Sequence, residues 1–86
     1  MPEVCRFLGI VIAMYYNDHA PPHFHAKYGG QRAAFSIEDL SIIEGNLPQR
    51  VISLILEWAF LHREELRNNW QKAMKKEDLV KIDPLV

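Results

Sequence analysis

This sequence of 86 residues has a single cysteine, almost no net charge and no long apolar run. Each of these three features argues against a class of protein. Cys5 cannot form an internal disulfide, which fits a reducing cytoplasm rather than a secreted disulfide scaffold. The formal net charge of −1 gives no strong global field to attract nucleic acid or an anionic membrane. The longest apolar run, Phe7 to Tyr16, is too short to span a bilayer, and no signal peptide precedes it. We therefore expect a cytoplasmic protein without membrane contact.

Length and composition predict one small folded domain over residues 1–86. Hydrophobic residues make up 49% of the sequence, which is ordinary for a globular protein and argues against disorder. A chain of 86 residues can bury only a thin core, so one sheet face packed by one long helix is expected.

The apolar run Arg6 to Tyr16 is predicted to form a central strand covered on both faces, because it lacks polar alternation. A short buried helix is the competing interpretation. Gly9 and the β-branched residues that follow it argue against that helix.

A β-hairpin is predicted around Gly29-Gly30, since two glycines accept the positive φ angles that such turns need. His23 to Tyr28 and Gln31 to Ile37 alternate on either side of it, which separates an apolar face from a polar one. The apolar face of the first strand holds Phe24, Ala26 and Tyr28. The polar face of the pair holds His23, His25, Lys27, Arg32 and Ser36.

The C-terminal half is predicted to be mainly helical, after a short edge strand from Ser41 to Glu44. Asn46 is the expected N-cap, with Pro48 in the first turn of a long helix that runs to Asn68. Trp70 to Lys76 is expected as a second, short helical segment or a continuation of the first, and the tail from residue 79 as an edge strand or extended arm. The prediction is thus an α+β fold: an antiparallel sheet of three or four strands, a long C-terminal helix and a short helix.

His23 and His25 are the sharpest candidate site. Residues two apart on a strand point the same way, as two imidazole ligands of one metal must. His19 or Asp18 can return across the proline turn as a third ligand and leave a position open for water. Imidazole binds zinc, nickel, copper and manganese, so the sequence does not identify which divalent metal would be bound.

A metal-free site and a bare exposed surface are the alternatives to a metal centre. His23 and His25 can act as general acid and base near neutral pH. Nearby cations can hold phosphates and nearby aromatic rings can stack bases, as in a small ribonuclease, with Tyr15 and Tyr28 completing the candidate catalytic set. The cations are Lys27, Arg32 and Arg6, and the aromatic residues are Tyr15, Tyr16 and Tyr28.

His62 falls on the apolar stripe of the predicted long helix, where a core histidine bonded to backbone is the usual explanation. If the histidine face turned inward, His62 would join His23 and His25 instead. Trp58 and Trp70 are expected to anchor the core or an interface rather than a cofactor.

Short motifs occur along essentially the whole chain: Arg6-Phe7-x-Gly9-Ile10, Met14-Tyr15-x-x-Asp18-His19-x-Pro21-Pro22-His23-Phe24-His25-x-x-Tyr28, Glu44-Gly45-x-Leu47-Pro48, the Trp58 to His62 helix, Asn69-Trp70 and Lys81-Ile82-x-Pro84-Leu85. Together these motifs resemble the 4160 family of bacterial domains of unknown function. The family's signature residues would therefore be Tyr15, Asp18, His19, Pro21, Pro22, His23, His25 and Tyr28.

The resemblance implies no settled activity. It implies a bacterial cytoplasmic protein whose gene lies beside that of a second small protein, in the manner of a toxin–antitoxin pair. The leading functional prediction is therefore one component of such a module, which uses its histidine face towards a protein partner, RNA or DNA. The alternatives are a nuclease-like or metal-dependent enzyme using His23 and His25, and a plain metal-binding module. The apolar first strand and the tail also allow a homodimer.

Overall fold

The computed structural model describes residues 2–86 and confirms the α+β class. Five antiparallel strands form one sheet in chain order, and two consecutive helices follow it. The prediction of three or four strands was therefore wrong in number. The strands are β1 (Glu3–Phe7), β2 (Ile10–Ala13), β3 (His23–Tyr28), β4 (Gln31–Ser36) and β5 (Ile42–Gly45), and the helices are α1 (Gln49–Leu61) and α2 (Arg63–Met74).

The additional strand arises because the run from Arg6 to Tyr16 does not form a single strand. It is divided by a tight turn at Leu8 and Gly9, whose φ angles are 50° and 79°. Two consecutive residues with positive φ connect antiparallel strands without splaying them. β1 and β2 consequently form a hairpin, with Phe7 opposite Ile10.

The hairpin of β3 and β4 has the predicted strands, turn and faces. His25 is opposite Ala34 and Lys27 is opposite Arg32, so the polar side chains share one face of the sheet. On the other face Phe24 stacks on Phe35, with ring centroids 5.3 Å apart, and both rings are fully buried. This register places His23 and His25 on the sheet face opposite Phe24 and Phe35, although His23, at the start of β3, is itself buried.

The edge strand β5 confirms the short strand expected near Ser41 to Glu44. It ends at Gly45, whose φ is +81°. A Cβ atom there would lie 2.4 Å from the carbonyl oxygen of Arg32. Gly45 therefore allows β5 to approach β4 closely.

The predicted single helix from Pro48 to Asn68 is wrong in its continuity and in its cap. The chain breaks at His62, with φ −120° and ψ 25°, and Pro48 rather than Asn46 occupies the N-cap position of α1. The break turns Leu61 out of the expected apolar stripe, so its side chain is exposed. The second helical segment therefore begins at Arg63 and not at Trp70.

Helix α1 packs on the apolar face of the sheet through Trp58, which is completely buried against Phe7 and Phe24. Trp70 of α2 is also buried, which confirms both tryptophans as core anchors. Burial of large aromatic side chains of this kind is a major stabilising contribution.

The tail after α2 forms an extended arm and not a strand. Ile82 donates its backbone N–H to the carbonyl of Val4 at 2.8 Å, and Trp58 Nε1 donates to the carbonyl of Asp83 at 2.8 Å. Asn69, almost fully buried, holds the arm through two hydrogen bonds with the backbone of Val80. Within residues 2–86, neither helix is long and apolar enough to cross a membrane.

Candidate functional site

Asp18, His23 and His25 converge at one end of the open sheet face. Oδ2 of Asp18 lies 2.9 Å from Nε2 of His23 and 3.2 Å from Nε2 of His25. One potential metal-binding atom from each of the three residues lies within 4.8 Å of the others. These three residues are called the carboxylate–histidine centre below.

Strand geometry and the preceding loop explain this convergence. His23 and His25 are two positions apart on β3, so their side chains leave the same face of the sheet. Asn17, with a φ of 57°, turns the chain and donates its N–H to the carbonyl of Ala73 at 3.4 Å. The peptide bond between Ala20 and Pro21 is cis, and the loop returns Asp18 over the histidines.

Both ring nitrogens of His23 face hydrogen-bond acceptors. Nδ1 lies 2.7 Å from the carbonyl oxygen of Pro21, while Nε2 faces the Asp18 carboxylate. The imidazole is only 5% exposed, and its centroid lies 5.2 Å from the ring of Trp70. His23 is therefore a fixed, buried group and not part of an exposed surface, whereas the His19 side chain is largely exposed.

The Asp18 carboxyl is held in its charged form. Burial raises the pKa of this group, but hydrogen bonds from His25 and from the His19 backbone N–H, together with the charge and hydrogen bond of His23, outweigh that effect. The net result is a pKa below the usual value for aspartate. The centre thus combines an anionic oxygen with two imidazole nitrogens.

His25 connects the centre to a groove of about 370 Å³ on the open sheet face. Its side chain is 25% exposed, and the ring of Tyr15 meets it edge-on with centroids 4.4 Å apart. The groove is lined by Tyr15, His25, Lys27, Arg32, Ala33, Ala34, Glu44 and Gly45. A molecule in this groove would reach His25 directly.

The predicted phosphate-binding cations lie in one row across the sheet. Strand register places Arg6 opposite Val11, Val11 opposite Lys27, and Lys27 opposite Arg32. Lys27 and Arg32 line the groove, whereas Arg6 lies further along the row and forms an ion pair with Glu3 at 2.8 Å.

Three other predicted residues lie outside the centre. The His19 ring is largely exposed, and its Nε2 is 3.8 Å from Oδ1 of Asp18. Tyr28 packs against the core on the opposite sheet face, within 3.5 Å of Arg50. His62 contacts Glu65 at 2.5 Å and the ring of Trp58, so it does not join the other histidines.

Trp70 and Glu44 are site residues that sequence reasoning missed. Trp70 of α2 contacts the ring of His23 at the start of β3, and Glu44 enters the groove because β5 pairs with β4. Neither contact has a local sequence signal. The position of α2 and the pairing of β4 with β5 would have been needed to find them.

The fold and site define a small α+β domain: a five-stranded meander with a carboxylate–histidine centre on its open face. The model of a family described as a domain of unknown function (DUF4160) matches residues 9–71, and the chain belongs to this family. The matched region contains the whole centre and every residue that lines the groove. No curated protein and no solved structure matches the chain.

Proposed function

We propose that the protein binds a single-stranded nucleic acid in the groove and cleaves it at the carboxylate–histidine centre. The observation that carries this proposal is that His25 and the cations Lys27 and Arg32 line the same groove. A phosphodiester needs both features, because its charge must be held while a hydroxyl or water is activated beside it.

The cations are suitably placed to hold a phosphate next to the reactive centre. Lys27 and Arg32 are cross-strand partners, so both can face one phosphate group. His25 and Lys27 are two residues apart on β3, a separation of about 6.7 Å along a strand. A phosphate bound by the cations would therefore leave the adjoining part of the chain beside His25.

The position of Tyr15 favours a single-stranded over a double-stranded substrate. Its ring lines the groove and adjoins His25. Unpaired bases stack on aromatic side chains irrespective of sequence, which contributes about 1–3 kcal/mol per base. The partner class favoured by the groove is thus RNA or DNA with unstacked bases.

The centre can activate a hydroxyl in either of two ways. His25 can remove a proton as general base while Asp18 orients its ring, as in other carboxylate–histidine pairs. Alternatively, the three residues would hold a metal ion, which would supply a bound water of lowered pKa. In either route the deprotonated oxygen attacks phosphorus, the bond between phosphorus and the leaving oxygen breaks, and the leaving oxygen takes up a proton from solvent.

A role in a two-gene toxin–antitoxin module is the wider context that we propose. Because the proposed chemistry is cleavage, we assign the chain to the growth-inhibiting member of such a pair, which would act on RNA. Induced expression of the chain should then slow bacterial growth, and His25→Gln should relieve that effect at equal protein level. Equal growth inhibition by both proteins would contradict this role.

The direct test incubates the purified, tag-free protein with end-labelled single-stranded RNA and DNA, with and without Zn²⁺ or Mn²⁺. The proposal predicts cleavage by the wild type and loss of cleavage in His25→Gln. Arg50→Gln is the matched control, because Arg50 is an exposed cation on α1 near Tyr28 and away from the groove. Cleavage that persists in His25→Gln, or its absence in the wild type, would overturn the proposal.

A further inference from the structure

We infer that Asp18, His23 and His25 form a binding site for one divalent transition-metal ion, with a coordination position open to the groove. The inference concerns metal occupancy alone. Failure to bind metal would leave a metal-free nuclease standing, and absence of cleavage by the metal-loaded protein would leave the metal site standing.

The orientation of the His23 ring is the first argument. Nδ1 faces the Pro21 carbonyl oxygen, which can only accept a hydrogen bond, at 2.7 Å, so Nδ1 is the donor there and Nε2 is the nitrogen available to a metal. Nε2 lies 2.9 Å from the Asp18 carboxylate oxygen, so both atoms can face one cation. A backbone carbonyl on the second nitrogen is the arrangement found around metal-bound histidines.

The spacing of the three donor atoms is the second argument. Zinc binds imidazole nitrogen and carboxylate oxygen at about 2.0–2.2 Å, which separates neighbouring tetrahedral ligands by about 3.3–3.6 Å. Asp18 Oδ2 is 2.9 Å from His23 Nε2 and 3.2 Å from His25 Nε2. These two distances are within a few tenths of an ångström of the required separation, and all three donor atoms lie within 4.8 Å of one another.

Rigidity and access are the third argument. His23 is held by Pro21 and packed beside Trp70, and Oδ1 of Asp18 accepts the His19 backbone N–H at 2.9 Å, which leaves Oδ2 for a ligand. His25 opens into the groove of about 370 Å³, which has room for water or substrate. Three protein ligands and an open position are typical of catalytic sites, whereas structural zinc sites are closed.

The donor set also indicates the class of metal. Two imidazoles and one carboxylate suit first-row transition ions such as Zn²⁺, Ni²⁺, Co²⁺ and Mn²⁺ better than Ca²⁺ or Mg²⁺, which prefer oxygen ligands. The exposed His19 is not required, because its ring lies outside the group of three donors.

The test is calorimetric titration of Zn²⁺ into tag-free protein freed of metal with a chelator. We expect one ion per chain with micromolar or tighter affinity, weakened more than about 100-fold in His25→Gln and little changed in His19→Gln. His25→Gln is preferred to His23→Gln because His23 is buried and its replacement can disturb folding. Circular dichroism establishes that each variant is folded.

A second readout is the ¹⁵N NMR spectrum of the histidine rings during the same titration. Zinc should shift Nε2 of His23 while Nδ1 keeps its proton towards Pro21. The inference is overturned if the wild type binds no zinc, if His25→Gln binds it equally well, if His19→Gln loses as much affinity, or if neither ring nitrogen responds.

Discussion

Nε2 of the buried His23 lies 2.9 Å from Oδ2 of Asp18, although the loop between them contains two prolines. This contact connects the loop before β3 to the strand itself. Since His23 also bonds to Pro21, the loop is fastened at two points to one imidazole. The carboxylate–histidine centre is therefore a structural element as well as a candidate reactive site.

Replacing Asp18 by alanine should consequently destabilise the metal-free protein. The substitution removes the carboxylate that contacts Nε2 of the buried His23 at 2.9 Å and links the loop to β3, which should lower the free energy of unfolding by about 1–3 kcal/mol. Urea denaturation measures the change. Asp78→Ala, at an exposed position in the tail, should stay within about 0.5 kcal/mol of the wild type. Equal stability of Asp18→Ala and wild type would contradict this role.

Gly45→Ala should be strongly destabilising because the new Cβ would approach the Arg32 carbonyl oxygen to 2.4 Å, at a φ of +81°. Backbone strain and overpacking together should cost roughly 2–4 kcal/mol. In Gly30→Ala the added Cβ meets no heavy atom within 4 Å, so this variant should remain near wild type in thermal unfolding. Similar melting temperatures for the two variants would show that β5 can move away from β4.

Asn69→Ala should release the C-terminal arm. Both hydrogen bonds to Val80 are lost at a buried site, which should lower the free energy of unfolding by about 1–3 kcal/mol. Hydrogen exchange should accelerate at the amide of Val80 in particular. The neighbouring exposed Asn68 provides the control, and Asn68→Ala should change neither quantity appreciably. Unaltered exchange in Asn69→Ala would mean that other contacts hold the arm.

The ion pair of Glu38 with Arg67 should give stability a pH dependence. Two hydrogen bonds of 2.8 and 2.9 Å from the Arg67 guanidinium lower the pKa of the Glu38 carboxyl. Because the folded-state pKa lies below the ordinary 4.5, the contribution is complete above that pH and is lost as the pH falls through the folded value. The difference in melting temperature between wild type and Glu38→Gln should therefore be largest near neutral pH and vanish in acid.

Glu57→Gln, at an exposed position on α1, is the control for the Glu38 experiment. It should show a smaller difference from wild type at neutral pH. A Glu38→Gln difference that stays constant down to strongly acidic pH would contradict the ion-pair explanation.

The parts of the site that depend on residues close together in the sequence were predictable. Alternation around Gly29-Gly30 fixed which residues of β3 share a face, so His23, His25 and Lys27 were placed correctly. The same alternation puts Tyr28 with Phe24 on the apolar face, where Tyr28 packs against the core, so the prediction of Tyr28 as a catalytic residue has no support in the structure.

The features that sequence reasoning missed depend on contacts between distant residues or on weak turn signals. The turn at Leu8 and Gly9 lies within an apolar run and has a leucine at positive φ, which glycine-based rules do not find. The helix break at His62 has no glycine or proline to mark it. Tertiary packing decides the position of this break. Before it, Trp58 packs on Phe24 of the sheet; after it, Trp70 packs beside His23.

The most direct test of the proposed function is single-turnover cleavage of a single-stranded RNA by wild type, His25→Gln and Lys27→Gln. His25→Gln should lower the cleavage rate constant by about 10²–10⁴-fold and leave the RNA dissociation constant nearly unchanged. Lys27→Gln should weaken RNA binding and lower the slope of log binding constant against log salt concentration by about 1, the value for one phosphate contact. Its effect on the rate constant should be smaller. If His25→Gln cleaved RNA as fast as the wild type, the carboxylate–histidine centre would not be the reactive site.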